Sequence, residues 1–425
     1  MQLRLAYGRS SLTVELPDER VLAVVDIGDD LPAAEEDTIK AALSKPLGAP
    51  PLERLVRRGE RTTIVIPDAS RRCGARVFLP LLIDLLNRKG IHDRDITVLF
   101  ATGSHGLQVE SERQEVVGPE LYRRVRTVDH DCRQLADLVR LGETVNGTPV
   151  WLHKYVVKAE RLLVAGGTSH HPLTGYAGGP KLLNPGCAGL ETVLRCHALG
   201  VDVTRGGLVA TCAPGVAAGN PIYQDIVDST KFVQVDFALH LIVDAHGRVR
   251  QACAGALAPS WERARQLADS FYKVPVAQRV PLVIASCGGA PFDDDFVKSF
   301  RAVRNAALLV SDGGHLLLIA ECRAGLGCEH FLDFFATSTP HELASKLRQD
   351  YRSFGTTALG LRELLRRIRV TVVGMLPPAA PSAMGIRVEP SAQVAVEQAL
   401  SELPPGAKLA VLPHAHFTLP VVERG

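Results

Sequence analysis

The chain has 425 residues, more than one hydrophobic core usually organises, which sets two domains as the first expectation. It is 46% hydrophobic and 22% charged with a formal net charge of +2, the composition of a globular protein, and that balance gives no charge-based case for a nucleic-acid or membrane-surface partner. Aromatic residues make up 5%, which argues against base-stacking surfaces. No apolar run reaches membrane-spanning length and the first residues lack a basic-then-apolar signal pattern. The nine cysteines are dispersed without a Cys-x-x-Cys pair, as reduced buried thiols are, so the expected compartment is the cytoplasm.

In chain order, residues 2–26 alternate apolar and polar positions and read as a small antiparallel meander. Helices are expected over 35–43 and up to about residue 58. From residue 61 strand and helix alternate: strands at 62–66, 96–100 and 162–165, helices at 77–88 and 108–116. That alternation implies βαβ units and a mainly parallel sheet. A glycine-proline loop follows, then a helix at 190–200; residues 208–210 and 220–228 continue the domain, and a hairpin over 237–252 and a helix at 261–271 come next. Residues 272–279 read as a linker. A second α/β unit then begins, with strands at 282–285, 315–320 and 370–373 and helices at 295–308, 341–349 and 357–367. The last helix and strand, 391–400 and 408–412, are expected to return to the first domain. The fold class is therefore α/β, two domains with mainly parallel sheets. The first spans 1–272, completed by 395–425, and the second 280–394.

Ligands of open α/β sheets bind at the carboxyl ends of strands. Three such ends deliver Asp68 and Arg71, His105, and His171 to one rim. Asp68 suits a helix N-cap, or else orients Arg71 or a ligand hydroxyl; Arg71 suits a bidentate clamp on a carboxylate or phosphate. His105 is either a capping histidine or a general base. His170, His171 and His197 invite a zinc reading, but their spacing matches no common zinc motif. The run Gly175–Lys181 is not a Walker loop, because Pro180 precedes the lysine and Leu182 follows it. Lys181 is either a solvated loop lysine or a partly desolvated amine available for covalent attachment. Asp293, Asp294 and Asp295 sit at a helix start, where carboxylates are structural. Lys298 and Arg301 share the face of that helix, as a solvated pair or as positive charge across an interdomain cleft.

Taken together, Asp68-Ala-Ser-Arg71, Thr-Gly-Ser-His105, His171 with Gly175-Tyr-Ala-Gly-Gly-Pro-Lys181, Asn184-Pro-Gly186 and Glu191-Thr192 leading to His197 resemble the nickel-dependent lactate racemase family of 2-hydroxyacid racemases and epimerases. The resemblance continues through Gly288-Gly289-Ala290-Pro291-Phe292-Asp293 and so covers nearly the whole chain. It implies an interdomain active-site cleft and a nickel-pincer nucleotide joined to Lys181, with His197 as the protein's nickel ligand and His105 and His171 as the acid/base pair. It further implies that Asp68, Gly178 and Gly179 hold the cofactor, and that Arg71, Lys298 and Arg301 hold the substrate. The enzymes that build the cofactor (a carboxylase, a sulfur insertase and a nickel-insertion protein) are implied as partners.

The departures lie on the substrate side. Lactate-acting members carry glutamine and lysine where this chain has Lys298 and Arg301, a second-domain tryptophan absent here, and often serine in place of Ala177. Two cations there suggest a more anionic substrate, such as a 2-hydroxy dicarboxylate. The competing readings are a zinc hydrolase built on His170, His171 and His197, and a binding protein that lost the chemistry.

Overall fold

The computed structural model describes residues 1–28 and 34–423 and is built on two six-stranded sheets. The first runs in the order Val249–Gly255, Phe237–Val243, Arg161–Gly167, Thr62–Pro67, Ile96–Ala101 and Arg126–Asp129. Its neighbours are parallel except for the hairpin at the Val249–Gly255 edge. Thr62–Pro67 is buried at every position, because helices cover both faces of a parallel sheet, and so it reads as an unbroken run rather than an alternation. The helix Ala75–Arg88 turns Phe78, Leu79, Leu82, Ile83, Leu85 and Leu86 into the core. That is one side of a helical surface, each such side chain contributing roughly 1.5–3 kcal/mol over exposure.

Strand succession reverses between Thr62–Pro67 and Arg161–Gly167. At such a reversal the loops leaving two adjacent carboxyl ends diverge and open a crevice, the usual ligand site of a doubly wound sheet. The diverging loops here carry Asp68 and Arg71 on one side and Ser169, His170 and His171 on the other. The second sheet runs Arg387–Glu389, Arg369–Val373, Val310–Ile319, Val280–Ser286, Leu409–Leu412 and Val21–Val24, all parallel. Its reversal falls between Val280–Ser286 and Leu409–Leu412.

Several expectations are corrected here. Only Gln2–Tyr7 and Ser10–Glu15 form an antiparallel pair; Val21–Val24 leaves them and joins the second sheet beside Leu409–Leu412. Leu409–Leu412 does not return to the first unit. The supposed linker contains the strand Lys273–Val276, paired with Leu419–Val422. Both ends of the chain therefore belong with the second sheet, or bridge to it, and the boundaries 1–272 and 395–425 misplace them. The N-terminal hairpin packs Leu5, Val14 and Leu16 against Leu282, Ile284, Leu317 and Ile319 of that sheet. One buried cluster runs from Phe78, Phe100 and Phe237 of the first unit to Phe296, Phe300 and Leu316 of the second, so the two units share a core. No helix among the described residues is long and apolar enough to cross a membrane, and all nine cysteines are unpaired.

The glycine-proline loop is a short hairpin, Ser169–His171 against Gly175–Ala177, followed by a 3-10 turn at Gly179–Leu182. Gly175 has φ +76° and an added Cβ would lie 2.2 Å from the Val216 carbonyl oxygen; Gly406 has the same φ in open space. Gly175→Ala is expected to destabilise the protein by about 3 kcal/mol or more and Gly406→Ala by about 1 kcal/mol, read from denaturant midpoints. Equal losses would contradict the packing assigned to the hairpin.

Candidate active site

The crevices of the two sheets open into one cavity between the units. Its first-unit wall includes Asp68, Arg71, His105, His171, Lys181 and His197; its second-unit wall includes Lys298, Arg301, Tyr351, Phe354 and His416. All of the expected site residues except Gly179 line it.

His105 leaves the end of Ile96–Ala101, and its Nδ1–H donates to Asp68 Oδ2 at 3.0 Å. Burial alone would raise the Asp68 carboxyl, but His105, Arg71 and Ser70 outweigh it and hold the group below the usual carboxylate range. Its other oxygen accepts from the Ser70 backbone N–H at 3.1 Å and from the Ser70 hydroxyl. An ionised acceptor at Nδ1 fixes the tautomer, leaving the His105 Nε2 lone pair free. Asp68 thus makes the contacts of an orienting group.

His171 is fixed in the opposite sense. The backbone N–H groups of Leu173 and Thr174 both donate to its Nδ1, each at 3.2 Å, so the neutral ring carries its proton on Nε2. Burial first, then the charges of Lys181, Arg301, Arg71 and His197, push this imidazole well below its ordinary pKa. His197, on the helix Leu190–Ala198, donates Nδ1–H to the Val193 carbonyl at 2.8 Å. Its Nε2 lone pair is then free, as in metal-ligating histidines, which give their other N–H to a carbonyl or carboxylate. Burial and the neighbouring Lys181 lower its pKa to about 4.

The Lys181 Nζ donates to Thr174 Oγ1 at 3.0 Å, and the Thr174 hydroxyl in turn donates to the Tyr176 carbonyl. Among the described residues no carboxylate meets the amine. Burial, then Arg71 and Arg301, bring its pKa well below the ordinary lysine value. The solvated-loop alternative does not hold, and the amine is available as a nucleophile.

Arg301 reaches across to the first unit, where Nη1 donates to Ser169 Oγ at 3.0 Å. Its Nη2 is buried without a partner. Lys298 differs: its Nζ lies 3.2 Å from Asp294 and 3.4 Å from Asp295. Its charge is therefore offset within its own helix turn, and the two-cation argument for a more anionic substrate loses one of its cations. The carboxylate of Asp295 also caps the helix Phe296–Ala306.

Gly178 lines the cavity, but Gly179 does not; an added Cβ there would meet the Trp261 ring at 2.4 Å. His170 turns away from His171, its Nε2 meeting Asp269 Oδ1 at 2.8 Å. The triad of His170, His171 and His197 is not assembled, and among the described residues no three His, Cys, Asp or Glu side chains gather as a metal site. His416, Tyr351 and Phe354 were not picked out in the sequence. His416 follows the strand Leu409–Leu412, so the strand-end rule applied to the second sheet as well as the first would have found it.

A model of the lactate racemase N-terminal domain matches residues 7–206, and one of the lactate racemase C-terminal domain matches residues 276–415. The lactate racemase of Thermoanaerobacterium thermosaccharolyticum is 28% identical over 349 residues, covering 81% of this chain and 80% of that protein. The lactate racemase of Lactiplantibacillus plantarum is 23% identical over 424 residues, 96% of this chain and 97% of that one. Among solved structures, the lactate racemase apoprotein from Thermoanaerobacterium thermosaccharolyticum superposes with a TM-score of 0.87 at 24% identity, covering 99% of this chain and 100% of that one. A Thermotoga maritima protein gives 0.67 at 15% identity over 92% and 100%. The matched segments contain both sheet reversals and, of the cavity residues named above, all but His416. The chain belongs to the lactate racemase family.

Proposed function

We propose that this chain is a racemase of 2-hydroxy acids acting with a nickel-pincer nucleotide joined to Lys181. Its family makes it an isomerase, and racemisation of 2-hydroxy acids is the reaction that family membership supports. The observation that supports the reading is the pairing, in one cavity, of Lys181, an amine that no carboxylate among the described residues meets, with His197, an imidazole whose Nδ1–H is taken by the Val193 carbonyl so that its Nε2 lone pair is free.

The residues fit the nucleotide. A thioamide link needs an uncharged amine, and burial with Arg71 and Arg301 nearby favours that form of Lys181. Among the described residues no cluster of His, Cys, Asp or Glu gathers to hold a metal, and a metal at His197 would bring its remaining ligands with it, as a pincer does. When bound, the group supplies a hydride acceptor and donor. The chain's own residues handle the proton and the substrate. His105 Nε2 takes the proton from the substrate hydroxyl, and Asp68 stabilises the imidazolium that results. His171, held as an Nε2–H donor, hydrogen-bonds the substrate oxygen. To take up a proton itself it must first release Leu173 and Thr174, so His105 is the ready base and His171 the conditional one. Arg71 and the unpartnered Nη2 of Arg301 take the carboxylate.

The paired state of Lys298 and the apolar wall of Val297, Phe300 and Phe354 favour a monocarboxylate with an apolar side chain over a dicarboxylate. Lactate and longer aliphatic 2-hydroxy acids are expected to racemise faster than malate, as chiral analysis of an enantiopure panel would read; malate as the best substrate would reverse this assignment. Protein produced with the carboxylase, sulfur insertase and nickel-insertion protein should carry the nucleotide's mass on Lys181. Full racemase activity with an unmodified lysine would remove the tether from the scheme. Asp68→Asn is expected to lower kcat by roughly 10²- to 10⁴-fold while the adduct remains, because the amide no longer holds the His105 tautomer. Unchanged kcat would show that His105 does not depend on Asp68.

A further inference from the structure

The proposal above leaves one buried group at the site unused. His416 is 3% exposed and lies in the loop after Leu409–Leu412, at the reversal point of the second sheet. Its ring lies against Phe292, with centroids 4.1 Å apart and planes at 32°, and meets Phe417 at 5.0 Å. Its Nδ1 is enclosed without a hydrogen-bond partner, and Nε2 has none among the described residues, although the side chain lines the cavity. An imidazole buried without any partner is costly unless a ligand completes it. The other cavity histidines each have a protein group that sets their tautomer: Asp68 for His105, two backbone N–H groups for His171 and the Val193 carbonyl for His197. His416 has none, and is free to present N–H toward an acceptor.

His416 lines the same cavity as Arg71 and Arg301, and both guanidiniums act on its ring. The loop is pinned to the Arg301 helix: Asn305 Nδ2, one turn on from Arg301, donates to the Ala415 carbonyl at 2.9 Å and the His416 carbonyl at 3.4 Å. Burial, then the two guanidiniums, keep the ring neutral.

We propose that His416 is a substrate-binding residue whose N–H caps the carboxylate of the 2-hydroxy acid as a third donor beside Arg71 and Arg301. A carboxylate has about four acceptor positions, enough for both guanidiniums and one imidazole. The proposal rests on the assignment of the two arginines to the acid end, and the test separates the two ideas.

Binding of lactate to the cofactor-free chain, which cannot turn it over, is measured by calorimetry for wild type, His416→Leu, His416→Gln and Arg301→Met. His416→Leu is expected to weaken binding about tenfold, the worth of one hydrogen bond in a dry site. His416→Gln, which keeps an N–H, should lose less than half that factor, and Arg301→Met should lose more than either histidine variant. In the wild type, the ¹⁵N shifts of the His416 ring should move on adding lactate, so the idea stays testable if the leucine variant does not fold. Unchanged binding in His416→Leu with a loss in Arg301→Met, or ring shifts that lactate does not move, overturns the role of His416. Unchanged binding in Arg301→Met overturns the assignment on which it stands.

Discussion

The site is governed by a charge imbalance. Arg71, Lys181 and Arg301 line a cavity in which Asp68 is the one acidic side chain among the described lining residues, and Asp68 is already committed to His105 and Ser70. A guanidinium does not shed its proton in a protein, so Arg71 and Arg301 keep charges that burial disfavours. Lys181, His171, His197 and His416 are each pushed toward their neutral forms. One condition thereby sets several properties: a nucleophilic amine, imidazoles that are neutral near pH 7, and a strong demand for an anion between the arginines.

That condition is expensive to hold and the fold meets it with packing. The two sheets place their reversal points face to face, so each contributes the side of its crevice where loops diverge. The joint is continuous hydrophobic core, crossed by Arg301 to Ser169, by Arg72 Nη2 to the Ala290 carbonyl at 2.6 Å and by Arg304 Nη2 to the Cys212 carbonyl at 3.1 Å. The strand pair Lys273–Val276 and Leu419–Val422 closes the crossover. Ser169 is two residues before His171, so the contact that positions Arg301 also touches the hairpin that positions His171 and, through Thr174, Lys181.

Much of this was legible in the sequence, and what was not has a common cause. The buried parallel strands announced themselves as apolar runs, and their ends marked Asp68, His105 and His171, which line the cavity. Local pattern says nothing of partners at opposite ends of the chain, so Val21–Val24 beside Leu409–Leu412, and the strand within the supposed linker, were placed with the wrong neighbours. Lys298 was misjudged although its partners Asp294 and Asp295 stand three and four residues before it, where helical spacing brings them within reach. The glycines of the loop looked like room for a ligand, whereas Gly179 makes way for Trp261. The tautomers of His105 and His171 depend on a carboxylate and on backbone N–H groups whose placement only the folded chain reveals.

The central claim is that the hydrogen on the substrate's α-carbon moves as a hydride that stays within the site, while His105 and His171 handle only the hydroxyl proton. Racemisation of a 2-hydroxy acid carrying deuterium on that carbon, by the cofactor-loaded protein in ordinary water, tests this most directly. The account predicts that both enantiomers retain the label after equilibrium is reached. Loss of the label to solvent at the rate of racemisation would mean that a histidine removes the α-hydrogen as a proton, and would contradict it.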